Sequence, residues 1–168
     1  VDGKMAASGT VSKELLEELL ADAYFRRSPP KSCGREQYGA DFVAALLAEG
    51  LPAADLVATV TALTAAGITA SIDRFVAPKM ALDELIVSGG GIRNPEIMRR
   101  LQAQLPDAKV IPSNDLGVDS DAKEAMAFAI LAHETWHRRP ASLPSATGAS
   151  GPAILGKVAY PPPTAAGR

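Results

Sequence analysis

Three consecutive glycines, Gly89-Gly90-Gly91, are the residues whose type and position most directly suggest chemistry in this chain. They follow a short apolar run with β-branched residues, 84–88, which predicts a buried strand. Asn94 and Pro95 come next, in the order of a helix cap and a first helical residue. Such a turn presents no side chains, and free amides at the following helix start favour an anion. The pattern predicts either an anion-binding strand–turn–helix unit or a tight connection without a ligand.

The spacing of these glycines excludes two familiar nucleotide motifs. They are contiguous, whereas the dinucleotide fingerprint spaces its glycines as G-x-G-x-x-G. The chain also lacks the Gly-Lys-Ser or Gly-Lys-Thr sequence that a Walker phosphate loop needs.

A second group of polar residues lies between Pro29 and Glu36, where two prolines and a glycine predict a loop. Lys31, Arg35 and Glu36 all belong to it. A solvated loop is one interpretation. A phosphate or sugar contact is the other, since lysine and arginine bind anions well.

A third polar group, 113–121, precedes a predicted helix over 122–137. Asp121 and Glu124 lie at the start of this helix, where capping and the helix dipole account for carboxylates without any ligand. The apolar residues of the helix, Phe128 among them, are expected to face the core.

His133 and His137 are four residues apart and, with Glu134, match the H-E-x-x-H pattern of zinc enzymes. The match lies at the end of the predicted helix, where histidine and arginine suit the helix dipole without a metal. No further histidine follows as a third ligand, and the single cysteine lies far upstream. We therefore assign no metal ligand in this chain.

The composition bounds the kind of protein that positions these residues. The chain has 168 residues, of which 47% are hydrophobic and 21% charged, which suits one globular domain with a real core. Its net charge of -2 gives no reason to expect nucleic acid. No run was expected to approach the length of a membrane span. One cysteine, Cys33, excludes an internal disulfide and fits a reducing compartment.

Hydrophobic periodicity predicts a helix-rich α/β domain. Val1 to Gly9 is expected to be a strand or turn, and Ser12 to cap the first helix. Further segments are predicted from their patterns: helices over 38–50 and 53–72, a strand at 109–112, and a short strand at 153–155. The strand–helix–strand order around the glycines predicts a parallel pair.

Four stretches occur in an order and at a spacing that match one family: Pro-Lys-Ser-Cys-Gly-Arg-Glu at 30–36, Leu-Ile-Val-Ser-Gly-Gly-Gly-Ile-Arg-Asn-Pro at 85–95, Ser-Asp-Ala-Lys-Glu-Ala-Met-Ala-Phe-Ala at 120–129, and Leu-Pro-Ser-Ala-Thr-Gly-Ala at 143–149. Through them the chain resembles the anhydro-N-acetylmuramic acid kinases. These are sugar kinases of the group that includes hexokinase and actin. The likeness covers nearly all of the chain, with Cys33 standing where threonine is expected.

The resemblance implies that 1–160 is the C-terminal, nucleotide-side domain of a two-domain kinase, followed by a loose proline-rich tail, 161–168. The fold implied is ribonuclease H-like, of the actin-like ATPase type, with a small sheet flanked by helices. No catalytic residue is assigned, because the general-base aspartate is expected upstream of Val1 in the missing N-terminal half.

The implied reaction is phosphorylation of 1,6-anhydro-N-acetylmuramic acid by ATP with Mg²⁺, with hydrolytic opening of the anhydro ring, in cytoplasmic recycling of cell-wall sugars. Gly89, Gly90, Gly91 and Asn94 are the implied nucleotide-binding residues. The implied sugar-side residues are Glu124, Asp121, Arg35, Glu36 and Lys31. The resemblance implies a homodimer, and it implies no binding to nucleic acid or to a membrane. A non-catalytic module that keeps the fold and binds nucleotide or a partner is the alternative.

Overall fold

The computed structural model describes residues 2–34 and 36–160. It contains two compact units, Val1–Lys123 and Glu124–Arg168, and each is described by itself. The predicted tail, 161–168, lies outside the described residues, and so does Arg35.

Most of the regular structure lies in the first unit, in this order: α1 (Lys4–Ser8), α2 (Lys13–Leu20), α3 (Ala23–Arg26), α4 (Ala40–Ala48), α5 (Ala53–Phe75), β1 (Glu84–Val87), a 3₁₀ turn (Gly90–Arg93), α6 (Pro95–Gln104), β2 (Lys109–Pro112) and a second 3₁₀ turn (Ser113–Leu116). Helix α7 (Lys123–Trp136) begins at the last residue of this unit, and α8 (Pro144–Thr147) belongs to the second. The predicted helix-rich α/β architecture with a small sheet is confirmed.

Helix α5 is the centre of the first unit. Helices α1, α2 and α6 all pack on it. Small side chains make this close packing possible: Ala58 and Ala65 are fully buried, and Thr59 is as well. Gly67 faces the ring of Phe25 so closely that an added Cβ would lie 2.6 Å from it. Close-packed interiors leave little room for larger side chains at such positions.

The segment before α2 is fastened along the first turns of α5. The Thr10 amide donates to Asp55 Oδ1 at 2.7 Å, and the Ser12 amide donates to Thr59 Oγ1 at 3.0 Å. Gly9 passes so close to the Ala54 carbonyl that a Cβ would lie 2.0 Å from its oxygen. The Ser12 hydroxyl accepts from the Leu15 amide at 3.2 Å, which confirms Ser12 as the predicted cap of α2.

Helix α5 also meets the length and composition of a membrane-spanning helix, with a mean hydropathy of 1.5 over its most apolar stretch. The expectation that no segment approaches that length is therefore wrong. Half of the stretch is buried inside the protein, and a helix in a protein core passes the same test.

Strands β1 and β2 form the parallel pair that the sequence predicts, with Glu84 opposite Lys109 and Val87 opposite Pro112. Helix α6 connects them and packs on α5, where Thr69 Oγ1 donates to Gln104 Oε1 at 2.6 Å. This connection brings the residues that follow both strands to the same edge of the sheet.

Two local predictions are wrong. The turn expected at Asp2-Gly3 is present, but Lys4–Ser8 forms helix α1 and not a strand or turn, because Ala6 is buried as the helix packs on α5. The segment 153–155 forms no strand. Among the described residues, the Ala153 carbonyl accepts from the Ala141 amide, and the Ala153 amide donates to Ser142 Oγ. A strand needs a partner that continues the ladder.

The expected inward face of α7 is also wrong, since Phe128 is 71% exposed and α7 contains no buried residue. Periodicity shows which side of a helix is apolar but supplies nothing to cover it. Within the described part of the second unit, the four-residue α8 is the only other helix. Residues 124–160 of this unit therefore provide no second layer to cover α7.

We predict that Thr59→Val lowers the free energy of unfolding by about 1–3 kcal/mol, because it leaves the half-buried Ser12 amide without its acceptor, the fully buried Thr59 hydroxyl. Thr64→Val on the same helix is the matched control, since the exposed Thr64 hydroxyl bonds only to the Val60 carbonyl of its own helix. Urea unfolding followed by circular dichroism measures both. Equal losses in the two variants would contradict the packing of the first unit described above.

Candidate functional site

The triple-glycine turn begins where β1 ends. Gly89 has φ +84°, a left-handed conformation that favours glycine, and starts the 3₁₀ turn Gly90–Arg93. The Ile92 amide donates to the Gly89 carbonyl at 3.2 Å, and the Asn94 amide donates to the Gly91 carbonyl at 3.1 Å. The predicted strand, glycine turn and capped helix are all present. The strand is not buried as predicted, since Ile86 is 52% exposed and the two-stranded sheet covers little of β1.

Neither the backbone conformation nor the packing around Gly90 and Gly91 requires glycine at these two positions. Neither has positive φ, and a Cβ built on either would meet no atom within 4 Å. Gly89 likewise faces open space, although its φ accounts for it. The turn thus exposes bare backbone to its surroundings, as expected where a ligand approaches the main chain closely.

Asn94 holds the start of α6. Its Oδ1 accepts from the Glu96 amide at 3.1 Å, and Pro95 takes the first helical position. Its side chain also packs against Gly3, where a Cβ would lie 2.2 Å from Asn94 Oδ1. The Asn94 side chain therefore stabilises the start of α6, which follows the glycine turn.

Two side-chain contacts connect the turn to the segment Asp121–Lys123. Lys123 Nζ donates to Ser88 Oγ at 2.6 Å, immediately before the glycines. Immediately after them, Arg93 pairs with Asp121. The sequence analysis selected Asp121 but missed Ser88, Arg93 and Lys123, because contacts spanning 28 and 35 residues leave no local pattern.

Ser113 follows β2 as Ser88 follows β1, so the strand register places the two serines next to each other at the carboxyl edge of the sheet. Ser113 is 4% exposed, and its hydroxyl has no hydrogen-bond partner. In parallel sheets this edge is where ligands usually bind.

The polar loop predicted between Pro29 and Glu36 makes other contacts. Lys31 Nζ donates to the carbonyls of Tyr24 at 3.1 Å and Phe25 at 3.4 Å, and it lies 4.8 Å and 5.2 Å from the ring centres of Tyr24 and Phe75. Glu36 is exposed. Among the described residues, no hydrogen bond or ion pair joins Lys31 or Glu36 to the glycine turn. Arg35 lies outside the described residues, as noted above.

The remaining predicted sugar-side residue, Glu124, begins the second unit in the first turn of α7 and is exposed. It is the acidic residue of that turn, a position that suits the helix dipole.

The histidines of the H-E-x-x-H match lie further along α7. His137 Nδ1 is 2.8 Å from the His133 carbonyl oxygen. Glu134 accepts two bonds from Arg139, which hold the pKa of its carboxyl below the ordinary value. Residues 2–34 and 36–160 contain no group of three His, Cys, Asp or Glu side chains arranged to hold a metal.

A cavity of about 710 Å³ in the first unit does not include the glycine turn in its lining. It is lined mainly by apolar and aromatic residues, including Phe42 and Phe75, together with Lys31 and Cys33. None of the three glycines contributes to its wall.

A parallel strand pair with a bare glycine turn and a capped helix at its carboxyl edge defines an α/β protein with a candidate anion site. The sequence model of one family, anhydro-N-acetylmuramic acid kinase, matches residues 1–161. The chain belongs to the anhydro-N-acetylmuramic acid kinase family, as its resemblance predicted.

Named relatives agree with the family model. An anhydro-N-acetylmuramic acid kinase of Salinibacter ruber is 46% identical over 96% of this chain and 42% of its own length. One from Caldanaerobacter subterraneus is 43% identical over 94% of this chain and 41% of its own length. One from Synechococcus elongatus is 46% identical over 93% of this chain and 42% of its own length. The chain thus spans less than half the length of these relatives.

We predict that Asn94→Ala destabilises the first unit by about 1 kcal/mol, because the first turn of α6 loses its cap, whereas Asn94→Ser keeps an acceptor and costs a few tenths. Asn114→Ala is the control, since Asn114 is exposed and its side chain makes no hydrogen bond within the described residues. Thermal unfolding compares the three. An Asn94→Ala variant as stable as the control would show that the cap does not hold α6.

Proposed function

We propose that this chain forms the nucleotide-side part of a kinase that uses ATP to phosphorylate 1,6-anhydro-N-acetylmuramic acid. In the proposed reaction the anhydro ring is opened by water, and the product is N-acetylmuramic acid 6-phosphate. Family membership supports the kinase class. The single observation that supports the nucleotide side is the bare backbone at Gly90 and Gly91, which neither packing nor φ explains.

The turn suits a nucleotide for electrostatic reasons as well. Backbone amides at a helix start, together with the helix dipole, favour phosphate oxygens. Lys123 adds a cation beside the glycines, whereas the charge of Arg93 is balanced there by Asp121. Phosphoryl transfer depends mainly on positioning the reactants and on neutralising their charge, and a site of this kind can do both.

Mg²⁺ belongs to the proposal as the companion of ATP. Magnesium is usually held by one or two carboxylates together with the substrate's own phosphates. Two carboxylates close to the turn are already paired, Asp121 with Arg93 and Glu96 with Arg99. We therefore assign no protein ligand to magnesium, and bound phosphates would supply most of its coordination.

The sugar side of the proposal rests on the family resemblance. Glu124 and Asp121, with Lys31, Arg35 and Glu36 on their loop, are the residues proposed to shape it. The carboxylate that activates water is proposed to lie in a part of the kinase outside this chain, so no catalytic base is assigned.

The rest of the proposal concerns the whole kinase. We infer a ribonuclease H-like fold of the actin-like ATPase type, in which 1–160 is one domain and the preceding half supplies the other. Recycling of cell-wall sugars in the cytoplasm and assembly as a homodimer belong to the same proposal.

We predict that the chain binds Mg-ATP and that Gly90→Val weakens this binding at least about tenfold, since the added side chain occupies the face that the nucleotide approaches. Gly151→Val is the matched control, because Gly151 also faces open space and has no positive φ, yet belongs to the second unit. Isothermal titration calorimetry measures the three affinities.

Equal weakening by the two valine substitutions would contradict a nucleotide site at the turn. Incubation of the wild-type chain with the anhydro sugar and Mg-ATP extends the test, and mass spectrometry detects any sugar phosphate. We expect none from this chain alone, because the base is proposed to lie elsewhere. Binding without transfer by a complete family member carrying this sequence would favour the non-catalytic module.

A further inference from the structure

The two contacts that flank the triple-glycine turn lead to a further inference. Ser88 and Arg93 stand on either side of the glycines. Each is joined to the segment Asp121–Lys123, the first by Lys123 Nζ at 2.6 Å and the second through Asp121. The turn is therefore connected at both of its ends to one short piece of chain.

The position of Lys123 is not explained by its own helix. It is the first residue of α7, where a cation is opposed by the helix dipole. It is also exposed, so burial of its stem does not account for it. The described interaction that its ammonium makes is the bond to the Ser88 hydroxyl. The hydrogen bond to Ser88, the residue directly after β1, thus accounts for the position of this lysine.

Three glycines in a row need such a restraint. Glycine loses more conformational freedom on ordering than any other residue. A ligand that binds to a loose glycine turn must offset this entropy loss with part of its binding free energy. If the turn is already ordered before binding, the ligand does not have to do so. Within the turn, the Ile92 and Asn94 amides donate to the Gly89 and Gly91 carbonyls, so their hydrogen exchange reports how firmly the turn is held.

We propose that Lys123 is a positioning residue for the triple-glycine turn, acting through Ser88, while the Arg93–Asp121 pair fixes the other end. Lys123 holds the glycine backbone in the arrangement that receives an anionic ligand, and it does so without contacting that ligand. The role in nucleotide affinity rests on the proposed function, whereas the restraint on the turn does not.

Amide hydrogen exchange of the ligand-free chain tests the restraint. Lys123→Met and Ser88→Ala are each expected to raise the exchange rates of the Ile92 and Asn94 amides about fivefold. Lys123→Arg keeps a donor and is expected to stay close to wild type. Lys79→Met is the control, because Lys79 is exposed and its ammonium makes no hydrogen bond within the described part of the chain. Unchanged exchange in both Lys123→Met and Ser88→Ala would overturn the proposal.

A double-mutant cycle on Mg-ATP affinity separates positioning from direct contact. Positioning through Ser88 predicts that Lys123→Met and Ser88→Ala each weaken binding about tenfold and that the double variant is no weaker than either. A lysine that touched phosphate itself would weaken binding when replaced, leave exchange unchanged and add to the effect of Ser88→Ala, which would overturn the proposal. Absence of binding by wild type would count against the proposed function, and the exchange experiment would still decide the restraint.

Discussion

The packing of α1, α2 and α6 on the small-residue surface of α5 is the constraint on which the first unit depends. Ala58 and Ala65 leave room for neighbouring helices, and the buried Thr59 hydroxyl accepts the Ser12 amide while donating to the Asp55 carbonyl. Because α6 packs on α5, the start of α6, where the glycine turn ends, is fixed as well. The candidate site is therefore a consequence of the helical core and not of the short sheet alone.

The features predicted correctly from the sequence are those with local causes. Ser12 and Asn94 cap helices because a side-chain oxygen next to a helix start accepts a nearby amide, whatever lies elsewhere. The parallel pair follows from two apolar runs with a helix between them. Gly90 and Gly91 were selected for their position between a predicted strand and a predicted helix cap, and both face open space. Their role in binding a nucleotide stays a prediction.

The wrong or missed features depend on partners that a local pattern cannot name. Helix α1 forms because Ala6 finds α5 to pack on. Phe128 lies exposed because an apolar side of a helix needs a covering layer, and periodicity does not provide one. Lys123 and Arg93 acquire their roles only when distant segments meet. The identity of the family came from the order of four motifs, which no single feature of the fold would have supplied.

The measurement that tests the central claim most directly is an NMR titration of the isotope-labelled chain with Mg-ATP, following every assigned backbone amide. A nucleotide site at the glycine turn predicts that the largest shift changes occur at the amides of Gly89 to Arg93, with smaller ones at Lys123. Changes confined to the apolar cavity beside Phe42 and Phe75, or no changes at all in a folded chain, would contradict it.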